Sequence, residues 1–397
     1  MKQMKQINVI VDLQFGSTGK GLLAGYLAET TKPDTVITAW AANAGHTYIN
    51  ADGRKFVHTM LANGVVSPNL KQVMIGAGSL IDPVSLLNEI NACIDLLGDD
   101  VKIYIHKNAA VIEQRHRDEE NEHLGANTRI GSTKKGCGAA QIQRIRRDPR
   151  DLNTFGYHYD AETSIAVLKL CNSHPNLIKI VDTDAWLQAL NQAEVVQIEG
   201  AQGYSLSMYH GMYPYTTSRD VTTAQVLADC GIPHTLIKLV KVYGTARTFP
   251  IRVANRYDEN GKQVGYSGDC YSDQEEITFE DLGQSTEFTT VTKLPRRIFT
   301  FSAAQIQEAA FMCGVDVLFM NFINYCRTEE EMREILTKSY ESIGAPELIL
   351  GFGATVNDVV SINTDRDFRV IEAEVTQMWG DSRAGRPLSC VNGGASQ

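Results

Sequence analysis

Apolar, β-rich runs alternate with helix-length amphipathic segments along most of the chain. The strand-like runs are Ile7–Leu13, Thr35–Trp40, Gln72–Gly76, Lys102–Ile105, Leu177–Val181, Val195–Glu199, His234–Val242, Val317–Ile323 and Glu347–Leu350. Helical spacing marks Gly19–Thr30, Pro83–Leu97, Ala161–Cys171, Asp184–Ala193, Val221–Ala228, Ala303–Cys313 and Glu329–Ser342. Several strands are apolar throughout instead of alternating, the pattern of strands covered by helices on both faces. The order of elements therefore predicts an α/β protein, a large and mostly parallel twisted sheet with helices on both sides. No Pro/Gly/Ser-rich linker and no internal repeat interrupts the 397 residues, so a single domain over 1–397 is expected. The basic stretch Arg144–Arg150 and the acidic, turn-rich stretch Arg256–Asp281 read as excursions over the sheet's edge. The small, polar tail at 384–397 reads as loosely held.

Composition narrows the ligand. The chain carries 37 Lys and Arg against 47 Asp and Glu, a formal charge of −10. That balance argues against a nucleic-acid polymer as partner, whose binding needs a basic face. Small anions stay possible, because a few local cations and backbone amides suffice for them. The eight cysteines are scattered and never spaced as CxxC, which reads as reduced cytosolic thiols with neither a zinc site nor a disulfide frame. The longest apolar runs fall short of the roughly 20 residues of a membrane helix. The amino terminus lacks a signal peptide's apolar core. A soluble, cytoplasmic protein acting on a small molecule is expected.

Four glycine-bearing turns carry the candidate chemistry. The first strand ends in Gln14-Phe15-Gly16-Ser17-Thr18-Gly19-Lys20-Gly21, and a helix follows at once. Glycines there let backbone amides curl around an anion, the helix N-terminus adds partial positive charge, and Lys20 adds a full one. The spacing is shorter than the GxxxxGK[ST] of common P-loop proteins. The second turn is Asn43-Ala44-Gly45-His46-Thr47, where His46 taken alone reads as a structural histidine. The third, Glu199-Gly200-Ala201-Gln202-Gly203 followed by His210 to Ser218, offers amides and hydroxyls suited to the edge of a heterocycle. The fourth, Gly131 to Gly138 with Arg144, Arg146 and Arg147 beyond it, offers hydroxyls and cations for a monophosphate.

In this order and spacing the four turns resemble adenylosuccinate synthetase. The phosphate loop resembles that family's GDEGKG, the second turn its NAGHT, Ser132–Gly138 its STRRGxG, and Glu199–Ser218 its EGAQG…HGxYPYVTS. Thr290 to Arg297 is similar to its aspartate loop. The resemblance spans about residues 7–358. It implies a homodimeric ligase in which a nucleoside triphosphate phosphorylates O6 of a purine monophosphate and the amine of L-aspartate then displaces the phosphate. Phosphoryl transfer of this kind depends on positioning and charge neutralisation. By the same resemblance Ser17, Lys20 and His46 are catalytic, and Ser17 and the carbonyl of Gly45 hold Mg²⁺. Gly16, Ser17, Thr18, Gly19, Lys20, Gly21, Gly45, His46, Thr47, Arg297, Asn321, Asn324, Gly351 and Gly353 hold the triphosphate. Ser17, Asn43, Ser132, Thr133, Gln202 and Thr217 hold the purine monophosphate, with Arg147 reaching it from the other subunit, or Arg144 or Arg146 if the local alignment slips. Thr292, Lys293 and Arg296 hold aspartate.

Departures from the family pattern sharpen the specificity. Ser17 and Thr18 replace the phosphate loop's acidic pair, and a serine hydroxyl cannot serve as an ionised base near neutral pH. Leu294 replaces an arginine, removing a fork for the substrate's carboxylate and sugar hydroxyl. Asn324 replaces an aspartate in the reader of the triphosphate's base, which relaxes the demand for guanine and admits adenine. These changes resemble a bacteriophage branch, the 2-amino-2′-deoxyadenylosuccinate synthases, which use dGMP in place of IMP and lead to diaminopurine DNA. The reading is therefore dGMP, L-aspartate and ATP (or dATP) as substrates, in the host cytoplasm. An ordinary synthetase using IMP and GTP and a catalytically inactive nucleotide-binding protein are the alternatives.

Overall fold

The computed structural model describes residues 4–121, 130, 133–147, 152, 159–289, 293–344, 346–362, 368–386 and 388. A ten-stranded sheet runs through it, in the spatial order Val359–Ile362, Glu347–Gly351, Val317–Asn321, Val240–Arg247, Gln6–Asp12, Val195–Glu199, Thr35–Thr38, Gln72–Ile75, Lys102–His106 and Ile178–Val181. Every neighbouring pair is parallel except the edge strand Val359–Ile362 on Glu347–Gly351. The α/β class expected from the apolar runs is the class found.

Both faces of the sheet are covered. Ile7, Val9 and Val11 of the first strand enter one apolar core, while Ile10 enters the other. Alternating side chains of one strand thus feed two cores, although the face that carries Ile10 also buries the polar Asn8 and Asp12.

The first strand lies between Val195–Glu199 and Val240–Arg247, and the chain winds outward on either side of it. In such sheets the crevice beyond the strands' carboxyl ends, where the winding reverses, is the ligand position. Here that places the loops after Asp12, Glu199 and Arg247 side by side.

One strand assignment changes. Residues His234–Leu239 form a 3₁₀ turn, and the strand is Val240–Arg247. A short apolar run cannot by periodicity alone be told from a turn, and here Leu236 and Leu239 only half-bury against the core while Ile237 is exposed. The strand continues through Gly244, where a Cβ would meet Leu13 at 2.7 Å. The excursion Arg256–Asp281 holds a two-stranded ribbon, Arg256–Tyr257 with Gln263–Gly265, and the strand Glu276–Ile277. Most of the tail, 389–397, lies outside the described residues. The seven described cysteines are free. Among the described residues no helix is long and apolar enough to cross a membrane.

Candidate active site

The phosphate loop is held from beneath by one carboxylate. Asp12, the last residue of the first strand, accepts from the backbone N–H of Gln14 (2.9 Å) and Gly16 (3.2 Å) through Oδ1. Its Oδ2 accepts from the Thr18 hydroxyl and from Lys20 Nζ at 2.7 Å. Gly16 (φ 88°), Ser17 (φ 59°) and Gly19 (φ 97°) take left-handed backbone, which curls the loop before the helix Lys20–Thr31 begins. Ser17 pays for that conformation as a non-glycine residue and is exposed at the tip.

Close packing brings the second turn to the first. A Cβ on Gly21 would lie 2.6 Å from the Thr47 carbonyl, and one on Gly25 would enter the Tyr48 ring. The helix therefore lies directly on the strand His46–Ile49. His46 is buried, its Nδ1 lies 2.7 Å from Glu199 Oε1, and its ring centroid is 4.3 Å from that of Trp40. Glu199 Oε2 accepts in addition from the Asn63 N–H at 2.7 Å. Burial holds the His46 imidazole below its usual range, while the hydrogen bond and charge of Glu199 work to raise it. Gly45, beside it, is exposed.

The third turn joins the second through Gln202 Nε2, which donates to Asn43 Oδ1 at 2.9 Å. Two residues expected at the purine monophosphate are thus one bonded pair. Thr217 is fixed by its N–H on the Leu206 carbonyl (2.7 Å). The fourth turn contributes Thr133, which lines a cavity of about 720 Å³ together with Leu294, Arg117, Lys134, Lys135 and Arg256 among others. Two distant stretches of sequence, one read as a phosphate site and one as an aspartate loop, therefore face one space. Lys293, on the same loop as Leu294, takes left-handed backbone (φ 54°). Ser132 and Thr292 lie outside the described residues. Arg147 ends its helical segment exposed, whereas Arg144 is turned inward onto the Ala77 carbonyl at 2.7 Å.

Asn321 links the sheet to the phosphate loop. Its Nδ2 donates to the Thr18 carbonyl (3.3 Å), and it fits only because Gly19 and Gly351 flank it: a Cβ on either would come within 2.2 Å of its amide. Gly353 is similarly pressed against Asp358. Asn324 Oδ1 is buried without a hydrogen-bond partner, an acceptor still to be satisfied. Arg296 donates from Nε to the Phe288 carbonyl at 3.4 Å, and burial lowers its guanidinium below the ordinary range. Arg297 is engaged by Glu276 (2.6 Å) and by the Gly268 carbonyl (2.6 Å).

Sequence reading passed over four site residues. Asp12 looked like an ordinary strand end, and Glu199 like part of a glycine turn. Arg247 and Glu287 carried no motif. The Arg247 guanidinium is fully buried, lies 3.9 Å from the centre of the Phe322 ring and pairs with Glu287 at 2.7 Å. Burial works to raise the Glu287 carboxyl, and the Arg247 charge outweighs it, holding Glu287 below the usual carboxylate range. The only advance signal was at Asp12, a charged residue directly following the apolar run Val9 to Val11.

An adenylosuccinate synthetase family model matches residues 9–156 and 150–347. The chain is 50% identical over 345 residues to the N6-succino-2-amino-2'-deoxyadenylate synthase of Acinetobacter phage SH-Ab 15497, covering 84% of this chain and 88% of that one. It is 30% identical to the adenylosuccinate synthetase of Methanococcus vannielii, over 89% of this chain and 98% of that one. Among solved structures it is similar to the succinoaminodeoxyadenylate synthetase of Cyanophage S-2L bound to dGMP and to dATP as energy donor. That match has a TM-score of 0.79 at 43% identity and covers 94% of this chain and 99% of the other.

Proposed function

The chain belongs to the adenylosuccinate synthetase family, and we propose that it performs the reaction of the bacteriophage branch. It joins L-aspartate to C6 of dGMP at the expense of ATP or dATP. The γ-phosphoryl group moves to O6 with loss of the N1 proton. The aspartate amine then attacks C6, the C6–O6 bond breaks, and phosphate leaves with O6. The products are 2-amino-2′-deoxyadenylosuccinate, the nucleoside diphosphate and phosphate. The identity of 50% to a phage enzyme so named, against 30% to an ordinary synthetase, supports this over the reaction of IMP with GTP.

The single observation that carries the acceptor assignment is the cavity shared by Thr133 and Leu294. Thr133 offers a hydroxyl to the 5′-phosphate, and the basic groups around it complement that charge. Leu294 presents apolar surface and no donor for a 2′-hydroxyl, so deoxyribose loses no hydrogen bond there. The paired Asn43 and Gln202, with Thr217, hold the nucleotide beside the phosphate loop. Lys293 and Arg296 supply cations for the carboxylates of aspartate.

On the donor side, backbone amides of Gly16–Gly21 and the Lys20 ammonium meet the transferring phosphoryl group. His46 bonds Glu199 through Nδ1, which leaves Nε2 for a phosphate oxygen; burial disfavours the imidazolium that such a bond requires, and Glu199 together with the phosphate charge favours it. The buried, unpartnered Oδ1 of Asn324 suits a donor such as the adenine amino group. Mg²⁺ is the metal the family implies. Ser17 and Gly45 are exposed residues whose hydroxyl and carbonyl are hard oxygens and fit it, since Mg²⁺ takes few protein ligands and fills its shell with phosphate oxygens and water. When bound it would neutralise charge on the phosphates. A homodimer is the active form in this reading, supported by Arg147 standing exposed beside the exposed Ile142 and Ile145.

The test is steady-state phosphate release with dGMP, GMP and IMP against ATP, dATP and GTP. We expect dGMP to have the highest kcat/KM. A higher value for IMP would return the chain to the ordinary synthetase reaction, and silence across the grid would favour a binding protein.

A further inference from the structure

The phosphate loop has neither carboxylate of the family's acidic pair, yet it is not without one. Asp12 lies beneath it, and the Asp12–Lys20 pair is buried, with side-chain exposures of 0% and 4%. Among the described residues four hydrogen bonds reach the Asp12 carboxylate, all from the segment it precedes: Gln14, Gly16, Thr18 and Lys20. Thr18 makes a second contact, 2.5 Å to the Thr245 hydroxyl on the neighbouring strand. On the other side, Gly203 of the acceptor turn comes so near that a Cβ there would lie 2.6 Å from Asp12 Oδ1.

A buried ion pair contributes little net stability compared with apolar packing of the same volume, because both charges are taken out of water. Its occurrence under a loop built for phosphate calls for a chemical reason. We propose that Asp12 is a positioning residue for phosphoryl transfer, fixing the Lys20 ammonium at the loop and balancing its charge in place of the acidic residues lost at Ser17 and Thr18. The inference rests on the ligase reading above. One of the three N–H donors of the ammonium is spent on Asp12, which leaves two for phosphate oxygens. The resting loop is neutral instead of cationic, so attraction for the substrate phosphates falls to the backbone amides. Lys20 then acts mainly on the charge that develops during transfer, the interaction that raises kcat.

Asp12→Asn, Lys20→Met and the double variant test this. For Asp12→Asn we expect kcat to fall ~10²-fold while KM for the triphosphate moves less than about fivefold, since the loop gains net positive charge as it loses geometry. Lys20→Met strands a buried carboxylate and should lower Tm, and adding Asp12→Asn to it should restore part of that loss. A kcat for Asp12→Asn within about threefold of wild type would overturn the proposal. So would an equal Tm drop from Asp12→Asn in both backgrounds, because Asp12 would then merely brace the Gln14 and Gly16 amides. If Asp12→Asn alone does not fold, the double variant decides: a folded double supports the ion-pair role, and an unfolded one supports the brace. Rates are read with whichever acceptor the wild type uses best. A wild-type preference for IMP would therefore remove the dGMP reading and leave this one standing.

Discussion

The regions proposed for the phosphoryl donor and for the acceptor are built differently. Around the phosphate loop three polar groups are each bonded to another: Lys20 to Asp12, His46 to Glu199, and Asn321 to the Thr18 carbonyl. These groups are buried; Gly21 lets the helix touch the Thr47 backbone, and Gly19 and Gly351 make room for the Asn321 amide. Around Thr133 and Leu294 the chain instead leaves a cavity of about 720 Å³. The difference suits the proposed chemistry. Phosphoryl transfer needs donors fixed before the charge develops, whereas an acceptor site must admit a nucleotide and an amino acid together.

The comparison makes a prediction: donor-side changes should cost rate with every acceptor, and acceptor-side changes should alter ratios between acceptors. Lys20→Ala should have the largest effect, taking phosphate release below detection with dGMP, GMP and IMP alike. It also leaves Asp12 unpaired in the interior, a loss of ~3–5 kcal/mol that a thermal melt will show. His46→Ala comes next, with kcat expected to fall on the order of 10²–10³, as for one lost oxyanion donor. Near-normal rates in either variant would remove these loops from the chemistry.

Leu294→Arg should leave the dGMP rate within a few-fold of wild type and narrow the preference for dGMP over GMP. An apolar surface rejects an added hydroxyl by only ~10²-fold at most, so that is the ceiling of the effect. Equal losses with both acceptors would mean that the side chain supports the loop and does not read the sugar. The smallest change is expected for Asn324→Asp, which should move the ATP-to-GTP ratio of kcat/KM about tenfold or less towards GTP, since a carboxylate accepts from both N1–H and the 2-amino group of guanine. An unchanged ratio would show that Asn324 does not face the base.

The sequence alone determined the α/β class and the positions of most central strands, because strands covered on both faces must be apolar throughout. It also determined the glycine turns, because left-handed backbone at Gly16 and Gly19 and contact at Gly21 leave glycine little competition. The strand Val240–Arg247 was misplaced because the turn before it carries Leu236, Ile237 and Leu239, which read as strand, and its own end is a buried arginine. What only the tertiary structure decided is which charges meet. Asp12 with Lys20 and Arg247 with Glu287 are pairs whose meaning lies in burial and distance, and His46 finds Glu199 across 153 residues of chain. Local pattern reports the period of burial along one element. It carries no information on which polar group closes on which, because that is set by how neighbouring strands end at the same edge of the sheet.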